Sequence, residues 1–149
     1  MWQHILTSHW VPAAGRPSPL RVLIETCDPL AQISDFTAFR EAGLEIAVCS
    51  GPAPHAGGCP LLRGERCGLA DEADAVLVEL DLYGDMARRV VDALVASHPR
   101  TPVVVAARAD GPSLPAGAVR LAMPASVSGQ VRVLRGAAVD GRRARIRPA

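Results

Sequence analysis

A chain of 149 residues suits one domain with its own core. Its formal net charge of +1 gives no electrostatic case for nucleic acid or an anionic membrane surface, and no apolar run approaches the roughly 20 residues of a membrane span. The opening MWQHILTSHW lacks the charged and continuously apolar regions of a secretory leader, so a cytoplasmic location is expected, where four cysteines remain thiols.

In chain order, residues 1–20 show no periodicity, and Pro12, Gly15, Pro17 and Pro19 work against regular structure. They read as a mobile arm, weakly bound at most, in which Trp2 and Trp10 belong to a frayed terminus or, as the alternative, dock on a partner. Arg21–Glu25 (RVLIE) is the first strand. Asp28 caps a helix with Pro29 in its first turn, and Leu30, Ile33, Phe36, Ala38, Phe39 and Ala42 recur at helical spacing up to Gly43. Leu44–Cys49 (LEIAVC) is the second strand. Ser50–Glu72 carries three prolines, five glycines and two cysteines, too many breakers for a full second helix, and a turn at 61–65 is the most it supports.

Ala73–Leu82 (ADAVLVELDL) is the centre of the pattern. Ala75–Val78 is apolar on both faces, as in the middle of a parallel sheet, and it ends in Glu79 and Asp81. Open α/β sheets bind ligands at that end of their strands. An amphipathic helix follows over Asp85–His98, with Met86, Val90, Val91, Leu94 and Val95 inward and His98 meeting its terminal carbonyls. Thr101–Ala107 is the fourth strand, and Arg108–Gly117, with two prolines and two glycines, replaces a helix. Ala118–Ala122 is the fifth strand, Val127–Val139 the last helix with Val131, Leu134 and Ala138 inward, and residues 140–149 a basic tail. The expected fold is flavodoxin-like α/β: a doubly wound, five-stranded parallel sheet in the order 2-1-3-4-5 over residues 21–139, with the second and fourth helices reduced to Pro/Gly-rich loops.

Four stretches in this order resemble the receiver domain of bacterial two-component response regulators: VLIETCDP, DAVLVEL, TPVVVAARAD and AMPASVSGQVRVL. The resemblance implies a site of five positions. Two acids after the first strand bind Mg²⁺, and Thr26 and Cys27 stand there. The acid that accepts the phosphoryl group falls on Glu79, the hydroxyl that contacts that group falls on Ala107, and the lysine that neutralises it falls on Met123 before Pro124. All five differ from the family pattern. Mg²⁺ needs hard oxygen ligands, which Cys27 does not offer, and this chain contains no lysine. Phosphoryl transfer depends on positioning and charge neutralisation, so the resemblance points to a degenerate receiver. Glu79 is then either a solvated acid at a strand end or a fixed negative charge where phospho-aspartate would be.

Cys27 and Cys49 end neighbouring strands, about 4.8 Å apart, and Cys59 and Cys67 follow in the irregular loop. Together, with His55 nearby, they could ligate zinc or an iron–sulfur cluster, or form a redox pair. The Cys59-x7-Cys67 spacing is not the short knuckle of such sites, and buried, unreactive thiols are the alternative. No catalytic residue, phosphate-binding glycine loop or nucleophile elbow is present. The expectation is a stand-alone, non-enzymatic signalling module without a cofactor. It binds another protein, or a second copy of itself, through strands four and five and the last helix, and it binds neither nucleic acid nor membrane. The alternative is a cysteine-based metal or redox sensor on the same fold.

Overall fold

The computed structural model describes residues 10–14, 20–52 and 58–146. Five strands, β1 (Leu20–Thr26), β2 (Leu44–Cys49), β3 (Ala75–Glu79), β4 (Val103–Arg108) and β5 (Ala118–Met123), pair in parallel in the order β2-β1-β3-β4-β5. Three helices lie in the connections, α1 (Ile33–Glu41), α2 (Gly68–Glu72) and α3 (Asp85–Ser97), and α4 (Val127–Ile146) follows β5. Order and class are those predicted from the sequence. Of the residues discussed above, Trp2, Gly15, Pro17, Pro19 and His55 lie outside the described residues.

The sheet separates two apolar layers because successive strand residues point to opposite faces. Leu23, Val76, Val78, Val103 and Val105 meet Ala87, Val90, Val91 and Leu94 of α3 on one face. Val22, Ile24, Ala75, Leu77 and Val104 meet Phe36 and Phe39 of α1 and Val131, Leu134 and Ala138 of α4 on the other. Ala75, Val76, Leu77 and Val78 have no exposed surface, so β3 has no wet face.

The two connections rich in breakers differ from ordinary crossovers. Between β2 and β3 stand a 3₁₀ turn, Pro60–Arg63, and the five-residue α2. Between β4 and β5, residues 109–117 contain turns and no helix. Arg120 on β5 holds that connection down, its guanidinium donating to the carbonyls of Arg108 (2.6 Å) and Pro112. Arg88 of α3 donates to the Ser113 carbonyl at 3.0 Å. Gly117 closes the loop at φ 90°, and a Cβ there would stand 2.8 Å from Val95 Cγ1.

Four local expectations are corrected. Residues 10–14 do not form a free arm. Val11 pairs with Ile46 on the edge strand β2 (N···O 2.7 and 3.2 Å), satisfying backbone groups an edge would leave open. Trp10 adds a hydrogen bond to Glu72 (2.8 Å) and sits under the Arg21 guanidinium, 5.3 Å from its ring centroid. Second, α4 continues through the expected tail to Ile146. Gly141 costs helix propensity, but a side chain there would stand 2.9 Å from Pro102 Cδ, so its absence lets α4 lie on the turn before β4, and Arg142 pairs with Asp74 at 3.1 Å. Third, the first turn after Asp28 is 3₁₀ rather than α: Leu30–Gln32, with Pro29 at its start, precedes α1, which begins at Ile33. Fourth, Met86 lies in the first turn of α3 and is 46% exposed, because it reaches past the sheet toward Cys27 and Asp81 rather than onto it.

Because β3 is dry on both sides, Val76→Asp should place an uncompensated charge in a packed layer, at a cost of several kcal/mol against a total stability of roughly 5–15 kcal/mol. Loss of the cooperative transition in a circular-dichroism melt is the expected result, and a soluble variant with an unchanged melt would contradict the central placement of β3.

Candidate functional site

The carboxyl ends of the strands bring together most of the polar residues singled out in the sequence. Thr26 closes β1 and is the register partner of Glu79, which closes β3. Thr26 is buried, and its Oγ1 accepts the Asp28 backbone N–H at 3.3 Å as the chain leaves the strand. Glu79 is partly buried on the α1 side of the sheet. Burial raises its pKa above the ordinary carboxylate value, a hydrogen bond from Gln32 opposes that rise, and the nearby Asp35 charge adds to it. Its immediate surroundings are thus a neutral amide and a second acid. Asp81, two residues on, is exposed and accepts the Tyr83 backbone N–H at 3.0 Å.

Ala107 lines a cleft of about 250 Å³ whose walls include Leu80, Asp81, Tyr83, Arg108 and Asp110. Arg108 there is already paired with Asp110 at 3.0 Å. Met123 is the partner of Arg108 in the β4–β5 register and packs against the α1/α4 layer, one residue before the cis Met123–Pro124 bond. Of the five positions, Thr26, Cys27 and Glu79 gather at the ends of β1 and β3, Ala107 lines a separate cleft at the end of β4, and Met123 is partly buried against the α1/α4 layer.

The cysteines divide. Cys59 and Cys67 are buried in the α2/α3 layer and Cys49 is partly buried against it. Cys27 is exposed, because it follows the last residue of β1 and faces the shallow cleft shared with Met86 and Asp81. Among the described residues, no three His, Cys, Asp or Glu side chains are placed to hold a metal ion. The four-cysteine site expected from Cys27, Cys49, Cys59 and Cys67 is therefore corrected: strand adjacency brings Cys27 and Cys49 near in the chain trace, but the two lie in different clefts.

Two arrangements escaped the sequence reading. The first is Glu25. It is the register partner of Cys49 in β2 and of Val78 in β3, is 2% exposed, and its Oε2 has no hydrogen-bond partner. Burial lifts its pKa from 4.5 to about 7, against a hydrogen bond from the Cys49 thiol that lowers it. Burial first, and then the Glu25 charge, push Cys49 up to about 12. An acid closing an otherwise apolar strand was the available signal. The second is a chain from Ser97 through His98 to Asp71, with Ser97 Oγ 2.7 Å from Nδ1 and Asp71 Oδ1 2.8 Å from Nε2. It corrects the expectation that the His98 ring meets helix carbonyls; only its backbone N–H does, to Leu94 at 2.9 Å. The chain is not a nucleophile site. Ser97 Oγ donates to the Ala93 carbonyl at 2.6 Å, and the carboxyl end of α3 presents carbonyls where an oxyanion would need donors.

No family model matches the chain, and no curated protein matches it. Solved structures do. A response regulator receiver domain protein from Clostridium thermocellum superposes with a TM-score of 0.60 at 13% identity, covering 83% of this chain and 97% of that one. A CheY-like receiver domain protein from Methanospirillum hungatei gives 0.59 at 13% identity, with 85% and 98% covered. The receiver domain of nitrogen regulatory protein C gives 0.56 at 17%, with 82% and 95% covered. At these identities the common element is the fold, and this chain has the receiver-domain fold over nearly the full length of those structures.

Because burial raises the Glu79 pKa, the folded chain favours its neutral form, so the carboxylate weakens stability as pH rises above its unfolded value of 4.5. Glu79→Gln should melt higher than the wild type at about pH 8, with the gain shrinking toward about pH 4.5. A variant that melts lower at pH 8 would mean that a cation compensates the charge.

Proposed function

We propose that this chain is a signalling module that uses the receiver fold to bind another protein and does not take up a phosphoryl group. The observation that carries this reading is the setting of Glu79: a carboxyl at the end of the central strand, hydrogen-bonded by Gln32, next to Asp35, and without an ion pair among the described residues. A phosphoryl group added there would meet more negative charge and no cation. Thr26 and Cys27 offer a buried hydroxyl and an exposed thiol in place of the two hard acids that Mg²⁺ would need. Ala107 has no donor to orient an incoming group, and Met123 has no charge to neutralise one. The acid at this position is thus one that phosphorylation does not switch.

A constant signalling face works through binding. The near-neutral net charge favours a protein partner over nucleic acid or an anionic membrane. The resemblance to receivers directs attention to β4, β5 and α4, where Val119 and Val139 are 45% and 48% exposed.

Incubation with Mg²⁺ and a small acyl phosphate, followed by intact-mass measurement, should show no phosphate adduct. An adduct that disappears in Glu79→Gln or Asp81→Asn would overturn the reading.

A further inference from the structure

The carboxyl of Glu25 closes β1 inside the α2/α3 layer, with Oε2 unpartnered. Its neighbours come from four segments. Cys49 of β2 donates its thiol hydrogen bond. Gly51, at φ +64°, stands so close that a Cβ there would lie 3.4 Å from Oε2. Cys67, at the start of α2, feels the Glu25 charge, with Cys59 beyond it. Val78 of β3 is its register partner. Among the described residues no arginine or histidine pairs with it. Three of these neighbours, Cys49, Gly51 and Cys67, also wall a cavity of about 390 Å³. The cation at that cavity, Arg66, is committed to Asp71 at 2.7 Å.

We propose that Glu25 is a proton-controlled latch: with its carboxyl neutral, the Gly51 turn and the Cys67 end of α2 close over it, and loss of the proton loosens that wall and admits water to Cys49 and Cys67. The physical reason is the missing partner. A neutral carboxyl brings no charge into the dry pocket and loses far less on burial than a carboxylate does. A carboxylate there has one weak thiol donor for two charged oxygens, and the nearest source of further donors is water from the cavity. Gly51 gives the wall its freedom, because the turn carries no side chain to anchor it over Oε2.

The sign follows from linkage. The closed form holds the proton up to about pH 7, whereas a hydrated carboxyl releases it near 4.5. The open fraction therefore grows as pH rises between those values, by up to about tenfold per pH unit, and levels off above the upper one.

The test labels thiols with a dipyridyl disulfide, which reacts in acid as well as neutral solution, and reads each cysteine by peptide mass spectrometry. Cys27, already exposed, is the internal reference. From about pH 5 to about pH 8 the ratio of Cys49 and Cys67 labelling to that of Cys27 should rise at least about tenfold in the wild type and stay level in Glu25→Gln. A ratio that rises equally in both proteins, or stays flat in the wild type, overturns the latch. Should Glu25→Gln not fold, hydrogen exchange of the wild type alone decides. After correction for intrinsic rates, protection at residues 49–51 and 67–70 should fall across that range while β3 holds. Uniform loss, or none, overturns the proposal.

Discussion

Burial of β3 on both faces is the constraint from which the remaining architecture follows. Four consecutive residues without exposed surface need an apolar layer above and another below; here helices supply both layers, and the strands beside β3 pair with it in parallel, as in sheets covered on both faces. The two layers are built from different helices. On one side, α1 and α4 run long enough to cover β1, β3 and β4. On the other, α3 does most of the covering, and the short α2, the Pro60 turn and two buried cysteines fill the remainder. The second layer is therefore closed partly by loop, and the polar anomalies of the molecule, Glu25 and its thiol neighbours, lie in it.

The same constraint separates the two acids at the strand ends. Glu25 and Glu79 point to opposite faces. Glu79 emerges beside a surface turn, where an amide and partial solvent stabilise it. Glu25 emerges beneath the loop-closed layer, where, among the described residues, the Cys49 thiol is its hydrogen-bond donor. Two identical side chains, one strand apart, thus differ in chemistry because of which layer covers them. Among the described residues neither is paired with a cation, and that common feature sets this sheet edge apart from a site built to receive an anion.

Much of the fold was legible because the strands carry no ambiguity: Ala75–Val78 and Val103–Val105 are apolar without breakers, and the α3 stripe has a clear period. What escaped depends on contacts between distant parts of the chain. Pairing of Val11 with Ile46 depends on β2 being an edge, which no local pattern states. Extension of α4 past Gly141 depends on the close approach of Pro102, whereas the local signal, a glycine followed by arginines, reads as a helix end. At the site, the meeting of Thr26 with Glu79 followed from strand order. The separation of Cys27 from the other cysteines did not, since it depends on where the chain turns after Thr26. Glu25 was read as the polar end of a strand, and only the register with Cys49 and Val78 shows that the strand ends inside the protein.

The strap at residues 10–14 has a consequence for how such sheets meet one another. A sheet that presents two open edges can add neighbours without limit, each newcomer offering a fresh edge to the next. Here Val11 breaks the middle of the β2 edge with one antiparallel bridge, while among the described residues β5 has no strand beyond it. Backbone pairing between copies is then easier at β5 than at β2, and that asymmetry works against the repeated edge-to-edge addition that builds a fibre.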